Sequence, residues 1–191
     1  MERETEDRRV RKTKKQLRSA LTTLLLEKEI HRITVRDIAD LADVNRGTFY
    51  AHYSDVYDLL HQLEDDLLRR LDEVGSRHSA RASDGRSFRY LTELFLLAGE
   101  YSDIFYTLYC RSGDSDFQDK VFNKLKYQYL YEFLSIYGGS ESERLDYCAS
   151  FIVAGMCTLA KVWIEGGMRE TPEQMARLGG DFVMGGVKML Q

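Results

Sequence analysis

The sequence predicts an all-α fold, because apolar residues recur at helical spacing along most of its 191 residues. The chain contains a single proline, and interior prolines break helices, so long uninterrupted helices are allowed. With 43% hydrophobic and 30% charged residues, the composition supports a buried core. We therefore expect about nine helices, arranged as a three-helix N-terminal domain over residues 8–54 and a larger helical domain over residues 55–191, whose first helix belongs to both.

Capping residues mark where several of these helices begin. Thr34 is followed three residues later by Asp37, the spacing of a capping box, and Asn45 and Asp55 can cap the next two helices. Residues 1–7 are polar, so we expect them to fray. Residues 75–86 are polar and lack periodicity, so we expect them to form the end of the fourth helix and a mobile loop at the boundary between the two halves. The predicted helices cover residues 8–28, 34–42, 45–52, 55–74, 86–99, 102–111, 116–137, 142–165 and 172–190, with Gly99 and Gly166-Gly167 among the glycines that end them and Thr171-Pro172 opening the last.

The charge of the chain is distributed unevenly. A net charge of −4 and a sequence pI of about 5.6 would by themselves disfavour a nucleic-acid binder. However, seven basic residues fall within eleven positions, with no acid among them: Arg8, Arg9, Arg11, Lys12, Lys14, Lys15 and Arg18. Such a cluster could face a phosphate backbone or simply be a solvated helix face. The acidic residues at positions 2, 4, 6 and 7 would oppose the approach of DNA unless they swing away.

Residues 34–53 have the pattern of a helix-turn-helix, and they read TVRDIADLADVNRGTFYAHY. Ala39 is the small residue needed where the two helices cross. Asp43 lies at the turn, where it tolerates a left-handed backbone better than most residues. The helices would be locked together by Val35, Ile38, Ala42, Val44 and Phe49. The second helix is therefore expected to enter the major groove of duplex DNA.

Several polar side chains of this unit are candidates for DNA contacts. Arg46 could read guanine with two hydrogen bonds, and Gly47 would allow close approach to the duplex. Asn45 could cap the second helix, touch a base, or both. The remaining candidates would donate to phosphates. The predicted DNA-binding residues are Thr34, Arg36, Asn45, Arg46, Gly47, Thr48, Tyr50 and His52.

The segment from about Arg9 to Leu63 resembles the DNA-binding domain of the TetR (tetracycline-repressor-type) family. The resemblance lies in Thr-x-x-x-Ile-Ala, a turn, and Gly-Thr-Phe-Tyr-x-His, all present in ITVRDIADLADVNRGTFYAHYSDVYDLL. It implies a homodimeric regulator, with repression as the family's usual mode, and a C-terminal domain that binds an effector and dimerises. The sequence departs from the family pattern at Asp43, Asn45, Tyr53 and Val56, where glycine, serine, phenylalanine and often lysine are usual.

The C-terminal half is expected to hold a pocket for a small apolar or aromatic effector, although aromatic residues at helical spacing can also be plain core. The candidate pocket residues are Phe95, Tyr101, Phe105, Tyr109, Tyr127, Tyr131, Cys148, Phe151 and Trp163.

The last two predicted helices are candidates for the homodimer interface, although they could instead fill the core of their own subunit. Glycines at 179, 180, 185 and 186 are costly within a helix, and close packing against a partner would offset that cost. The candidate interface residues are Gly155, Thr158, Val162, Met175, Leu178, Phe182, Gly186 and Met189. A symmetric dimer would recognise a near-palindromic operator, with recognition helices about 34–36 Å apart.

Other classes of protein are less compatible with this sequence. It contains no common catalytic motif, so we expect no enzyme activity, catalytic residue, metal or cofactor. Three widely spaced cysteines indicate reduced thiols and a cytoplasmic protein, without a signal peptide or a membrane span. A DNA-binding helical regulator without a small-molecule effector, either architectural or controlled by a protein partner, remains an open alternative. The operator sequence and the effector cannot be read from the chain.

Overall fold

The computed structural model describes residues 2–77, 86–111, 115–130 and 142–188. Within these ranges the chain is helical and contains no strand, which confirms the predicted all-α fold. The nine α-helices of the described residues are α1 Glu2–Leu25, α2 Val35–Leu41, α3 Arg46–Tyr50, α4 Val56–Arg77, α5 Arg86–Glu100, α6 Ser102–Phe105, α7 Ser115–Asn123, α8 Ser142–Glu165 and α9 Pro172–Lys188. A 3₁₀-helix covers Ile30–Arg32, and π-helical segments extend α6 over Tyr106–Arg111 and α7 over Lys124–Leu130.

The predicted capping residues occupy the helix starts. The Thr34 backbone N–H donates to Asp37 Oδ2 at 2.9 Å and Asp37 N–H donates to Thr34 Oγ1 at 3.1 Å, which completes the capping box of α2. Asp55 Oδ1 accepts from Asp58 N–H at 2.8 Å at the start of α4. Thr171 N–H donates to the Gln174 side chain at 2.8 Å, immediately before Pro172 opens α9. These local signals were therefore predicted correctly.

Two predicted boundaries differ from the structure. Helix α1 begins at Glu2 rather than near residue 8, so the acidic residues at 2–7 are helical. Helix α5 continues through Gly99 to Glu100, whereas α4 ends at Arg77, within the segment expected to hold its end. A Cβ on Gly99 would lie 3.3 Å from the Trp163 ring, so this glycine allows close helix packing and does not end the helix. Residues 131–137 of the predicted 116–137 helix lie outside the described residues.

Helix α4 joins the N-terminal helices to the rest of the core. Leu59 and Leu63 are buried against the first three helices, and Leu67 and Leu71 continue the same apolar stripe toward the C-terminal helices. The Arg18 guanidinium of α1 also forms an ion pair with Asp66 of α4. A second, smaller cluster lies between α8 and α9 and consists of Leu145, Ala149, Ile152 and Val183.

One stretch of α8, Leu145–Glu165, is long and apolar enough to cross a membrane. Charged residues at Asp146, Lys161 and Glu165 and several small polar residues interrupt its apolar positions, so it holds no continuous run of about 18 apolar residues. Core helices of water-soluble proteins have the same length and composition, so this property is weak evidence for a membrane. In its apolar 18-residue window 33% of the residues are buried, and others on the same helix, such as Phe151 and Val162, are exposed.

Candidate nucleic-acid interface and internal cavity

The turn between α2 and α3 has the hydrogen bonds of a Schellman motif. Asp43 adopts a φ of 54°, in the left-handed region, as expected for this position. Val44 N–H donates to the Ala39 carbonyl at 3.0 Å, and Asp43 N–H donates to the Asp40 carbonyl at 3.3 Å. These bonds end α2 and direct the chain into α3 within a few residues.

Apolar contacts fix the orientation of α3 against the domain. The Phe49 ring is fully buried and lies 5.6 Å from the Tyr50 ring and 5.7 Å from the Tyr53 ring, measured between centroids. Ala39 is buried, as a crossing residue should be. Val56, which departs from the family pattern, is also buried, so its side chain packs in the core and does not face outward.

The predicted DNA-binding residues lie on the exposed side of this unit. Arg46, Gly47 and Tyr50 on α3, and Thr34 and Arg36 at the start of α2, are exposed. His52 and Thr48 are half-buried and still reach the surface. Asn45 is exposed as well, so all eight candidates reach the surface of the segment from Thr34 to His52.

Asn45 and Gly47, both predicted to contact DNA, also have a structural role within α3. Asn45 Oδ1 accepts from the Thr48 backbone N–H at 2.8 Å, so the side-chain oxygen caps α3. Only the side-chain NH₂ group of Asn45 is left for a contact with DNA. A Cβ on Gly47 would lie 3.1 Å from that same oxygen. Glycine at position 47 therefore protects the cap, in addition to leaving space beside α3.

The basic residues of α1 divide into two groups. Arg8, Arg9, Arg11, Lys12 and Lys15 are exposed. Lys14 lies with its ammonium 5.9 Å from the centroid of the Tyr53 ring, and Arg18 forms an ion pair with Asp66. Burial by itself would lower the pKa of Arg18, but its bonds to neighbours such as Asp66 outweigh that effect and raise it. Lys14 and Arg18 therefore fasten α1 to the domain, and the other five remain available to a ligand.

A partly open cavity of about 70 Å³ lies between α4, α5, α6, α7 with its π-helical extension, and α8. Its wall is aliphatic or aromatic apart from one thiol, and the lining residues are Leu67, Leu71, Leu94, Phe95, Leu97, Ala98, Phe105, Val121, Leu125, Met156, Cys157 and Ala160. Such a wall suits a hydrocarbon group, since a charged group would lose its hydration there without gaining a partner.

Only some predicted pocket residues lie at this cavity. Phe95 and Phe105 line it. Trp163 packs edge-to-face on Phe95 at 5.7 Å, and Tyr109 stacks on Phe105 at 5.0 Å, so both support the wall from behind. Tyr101 is half-buried at the start of α6, outside the lining.

Other predicted pocket residues lie elsewhere. Tyr127 is 53% exposed and Phe151 is 81% exposed, so neither lines the cavity. Cys148 packs on the small cluster between α8 and α9, and Tyr131 lies outside the described residues. The prediction favoured aromatic residues, whereas the wall is mainly leucine and alanine. Among the lining residues it missed, Leu67 and Leu71 were visible in the sequence as part of the α4 stripe.

An exposed apolar strip runs along α8 and α9, which we call the α8–α9 face. It consists of Tyr147, Phe151, Gly155, Thr158 and Val162 on α8 with Leu178, Phe182 and Gly185 on α9, all exposed. The residues are three or four positions apart within each helix, so each set lies on one side of its helix. Five predicted interface residues belong to this face.

The remaining predicted interface residues do not all share that position. Met175 is only 5% exposed and packs in the core of its own subunit. The burial of Gly186 is not described, and Met189 lies outside the described residues.

The glycines of these helices also divide between core and surface. A Cβ on Gly179 would lie 2.6 Å from Met156 Cε, and one on Gly180 would lie 3.6 Å from Leu91. Both glycines therefore face the core of their own chain, which corrects the expectation that they face a partner. A side chain at Gly179 would require Met156 to shift, whereas one at Gly180 would make ordinary contact with Leu91. A Cβ on Gly155 or Gly185 would meet no atom within 4 Å.

The described residues contain no group of three or more His, Cys, Asp or Glu side chains that could hold a metal ion.

Comparisons with known proteins agree with this architecture. A family described as "Bacterial regulatory proteins, tetR family" matches residues 17–63, and one described as "Transcriptional regulator C-terminal region" matches residues 86–185. The uncharacterized HTH-type transcriptional regulator YxbF of Bacillus subtilis (strain 168) is 32% identical over 59 residues, 31% of this chain. That match spans only 16% of the length of YxbF.

Solved structures are similar over nearly the whole chain. A TetR transcriptional regulator from Streptococcus agalactiae 2603V is 26% identical, with a TM-score of 0.59 and 98% of each chain covered. The fatty acid degradation regulator FadR from Bacillus halodurans has a TM-score of 0.68 at 15% identity, covering 91% of this chain and 95% of FadR. FadR from Bacillus subtilis, in complex with stearoyl-CoA, has a TM-score of 0.63 at 15% identity, covering 90% of this chain and 96% of its own. At that identity the two FadR structures show the fold alone.

Proposed function

The chain belongs to the TetR family and is a DNA-binding transcriptional regulator, and we propose that it acts as a homodimeric, ligand-responsive repressor on a near-palindromic operator. The observation that carries the proposal is the α2–turn–α3 unit. Phe49 anchors this unit in the core, and the candidate DNA-binding residues lie at its surface. A duplex-binding regulator acts where the DNA is, so we place the protein in the bacterial cytoplasm.

In this proposal α3 lies in the major groove of the operator. Arg46 is exposed at the first position of α3, where a guanidinium can bond guanine O6 and N7 together. Tyr50 and His52 follow on the exposed side and would donate to phosphates, as would the exposed Arg36 near the start of α2. The exposed arginines and lysines of α1 would add a contact that depends on salt and not on sequence.

The experiment begins with selection of bound sites from random duplexes by the full-length protein, followed by footprinting of the best site. Arg46→Ala should lose sequence preference, because a bidentate contact contributes about 1–3 kcal/mol of discrimination. His52→Ala should weaken binding to all duplexes by about the same factor. Arg89→Ala, an exposed arginine on α5, is the matched control and should bind like the wild type. An unchanged footprint and affinity in Arg46→Ala would contradict the base-reading role.

We assign the α8–α9 face to a second copy of this chain. Its residues would be buried by a two-fold related face, which allows helices of both subunits to approach at Gly155 and Gly185. A two-fold axis would also present two α3 helices to successive turns of one duplex face. A lipid bilayer is the competing occupant, and sedimentation equilibrium together with vesicle flotation separates the two.

The cavity is the proposed effector site. Leu67 and Leu71 of α4 form part of its wall, and α4 begins at Val56, shortly after α3 ends at Tyr50. An occupant that moves α4 would therefore change the separation of the two α3 helices and lower operator affinity. The apolar lining residues would accept a hydrocarbon chain, and B. subtilis FadR, which shares this fold, forms a complex with stearoyl-CoA.

This part of the proposal is tested by thermal stabilisation with decanoic acid, 1-decanol and stearoyl-CoA as probes. Ala98→Phe places a ring in the cavity wall and should abolish stabilisation by a probe that binds there. Leu96→Phe, two residues away on the exposed side of α5, should preserve it.

A regulator without a small-molecule effector is the second candidate, and the size of the cavity favours it. At about 70 Å³, the cavity is smaller than the roughly 150 Å³ cavity known to hold benzene. If no probe raises the melting temperature or releases operator DNA, this second candidate is preferred. Repression itself is tested with a reporter whose promoter overlaps the selected operator, where loss of the protein should increase transcription.

A further inference from the structure

Two ion pairs hold the π-helical segment Lys124–Leu130 between α4 and α8. Lys124 Nζ lies 2.6 Å from Asp72 Oδ1 on α4, and Lys126 Nζ lies 2.8 Å from Asp146 Oδ1 on α8. Both distances are those of charge-assisted hydrogen bonds. Residues two apart on a helix do not share a face, so the two lysines leave the segment in different directions. One lysine therefore attaches the segment to α4 and the other attaches it to α8.

The pair with α4 borders the cavity. Leu125, between the two lysines, lines the cavity, and so does Leu71, the neighbour of Asp72. The Lys124–Asp72 pair thus closes the wall at the place where α4 meets the π-helical segment. Any movement of α4 away from this segment must lengthen the pair.

The two attachments differ in their exposure to water. The Lys126 side chain is 6% exposed and its ammonium also lies 4.7 Å from the centroid of the Tyr127 ring. The Lys124 side chain is 18% exposed. Water and salt screen the more exposed pair more strongly, so the attachment to α4 is the one that opens more easily.

We propose that Lys124 and Asp72 are positioning residues that hold α4 in its DNA-binding position, while the Lys126–Asp146 pair keeps the segment fixed to α8. This inference rests on the proposed function, in which α4 connects the cavity to the DNA-binding helices. A partly exposed ion pair changes an equilibrium by up to about fivefold. Neutralising Asp72 should therefore increase the population of the open arrangement by up to that factor.

Hydrogen exchange of the full-length protein, with and without a selected operator duplex, tests the proposal. In Asp72→Asn, the amides of Lys124–Leu130 should exchange up to about fivefold faster than in the wild type. Lys124→Arg keeps the charge and should remain close to the wild type. Glu73→Gln is the matched control, because Glu73 pairs with Arg69 and Arg70 of its own helix.

Binding of the operator gives the readout that a purely structural ion pair would not change. Because coupling between two sites is reciprocal, bound operator should slow exchange in the π-helical segment of the wild type and of Glu73→Gln, and should slow it less in Asp72→Asn. Equal exchange in Asp72→Asn and the wild type overturns the proposal, as does an equal increase in Glu73→Gln. Operator binding without any effect on the segment also overturns it. If no duplex binds, the proposed function fails. Hydrogen exchange of Asp72→Asn and of the wild type without DNA still decides whether the Lys124–Asp72 pair restrains α4.

Discussion

Replacing Phe151 with alanine is expected to separate the two subunits of the proposed dimer. The Phe151 side chain is 81% exposed in the single subunit. With about 200 Å² for a phenylalanine, roughly 160 Å² would be buried in each subunit, which at about 25 cal/mol per Å² gives an upper limit of about 8 kcal/mol per dimer. The entropy lost on association and on ordering side chains offsets part of this gain, so we take about half of the upper limit, about 4 kcal/mol, as the loss of dimer stability. The dimer dissociation constant should then rise about a thousandfold.

Sedimentation equilibrium between nanomolar and micromolar concentrations measures this change. Leu96→Ala is the matched control, because Leu96 is 47% exposed on α5, outside the α8–α9 face. The control should dimerise like the wild type, and both variants should keep the helical circular dichroism of the wild type. If Phe151→Ala dimerises as tightly as the wild type, the face does not bind a second copy. A monomeric wild type that floats with phospholipid vesicles would instead assign this face to a bilayer.

Three further predictions concern the DNA-binding unit. Thr34→Ala removes the capping acceptor of α2 and should lower the free energy of unfolding by about 1 kcal/mol in urea titrations. The bond from the Thr34 N–H, followed by that of its hydroxyl, lowers the pKa of Asp37. The stabilisation from the ionised Asp37 carboxylate is therefore complete above its unfolded-state pKa and is lost as pH falls through the lower folded-state pKa, so Asp37→Asn should flatten the acid side of a melting-temperature profile. Asp43→Gly relieves the left-handed backbone of a non-glycine residue and should leave unfolding free energy unchanged or raised by up to about 1 kcal/mol, again in urea.

The sequence by itself determined the features that depend on interactions between near neighbours. The capping box at Thr34 joins residues three apart, and the left-handed turn at Asp43 depends on the same few residues. Apolar periodicity predicted the all-α fold, and the spacing within residues 34–53 predicted which side chains would surround α3. Such features can be predicted from the sequence because the interacting residues lie within one or two helical turns of each other.

Helix packing decided which apolar residues face the cavity, the core or the surface. Phe95 and Phe151 look alike in the sequence, yet the first lines the cavity and the second is exposed. Gly179 meets Met156, whereas a side chain at Gly155 would project into open space. Lys124 and Asp72 are 52 positions apart, and no local pattern connects them. These assignments depend on how each helix is rotated against neighbours distant in the chain, and only the folded tertiary structure contains that rotation.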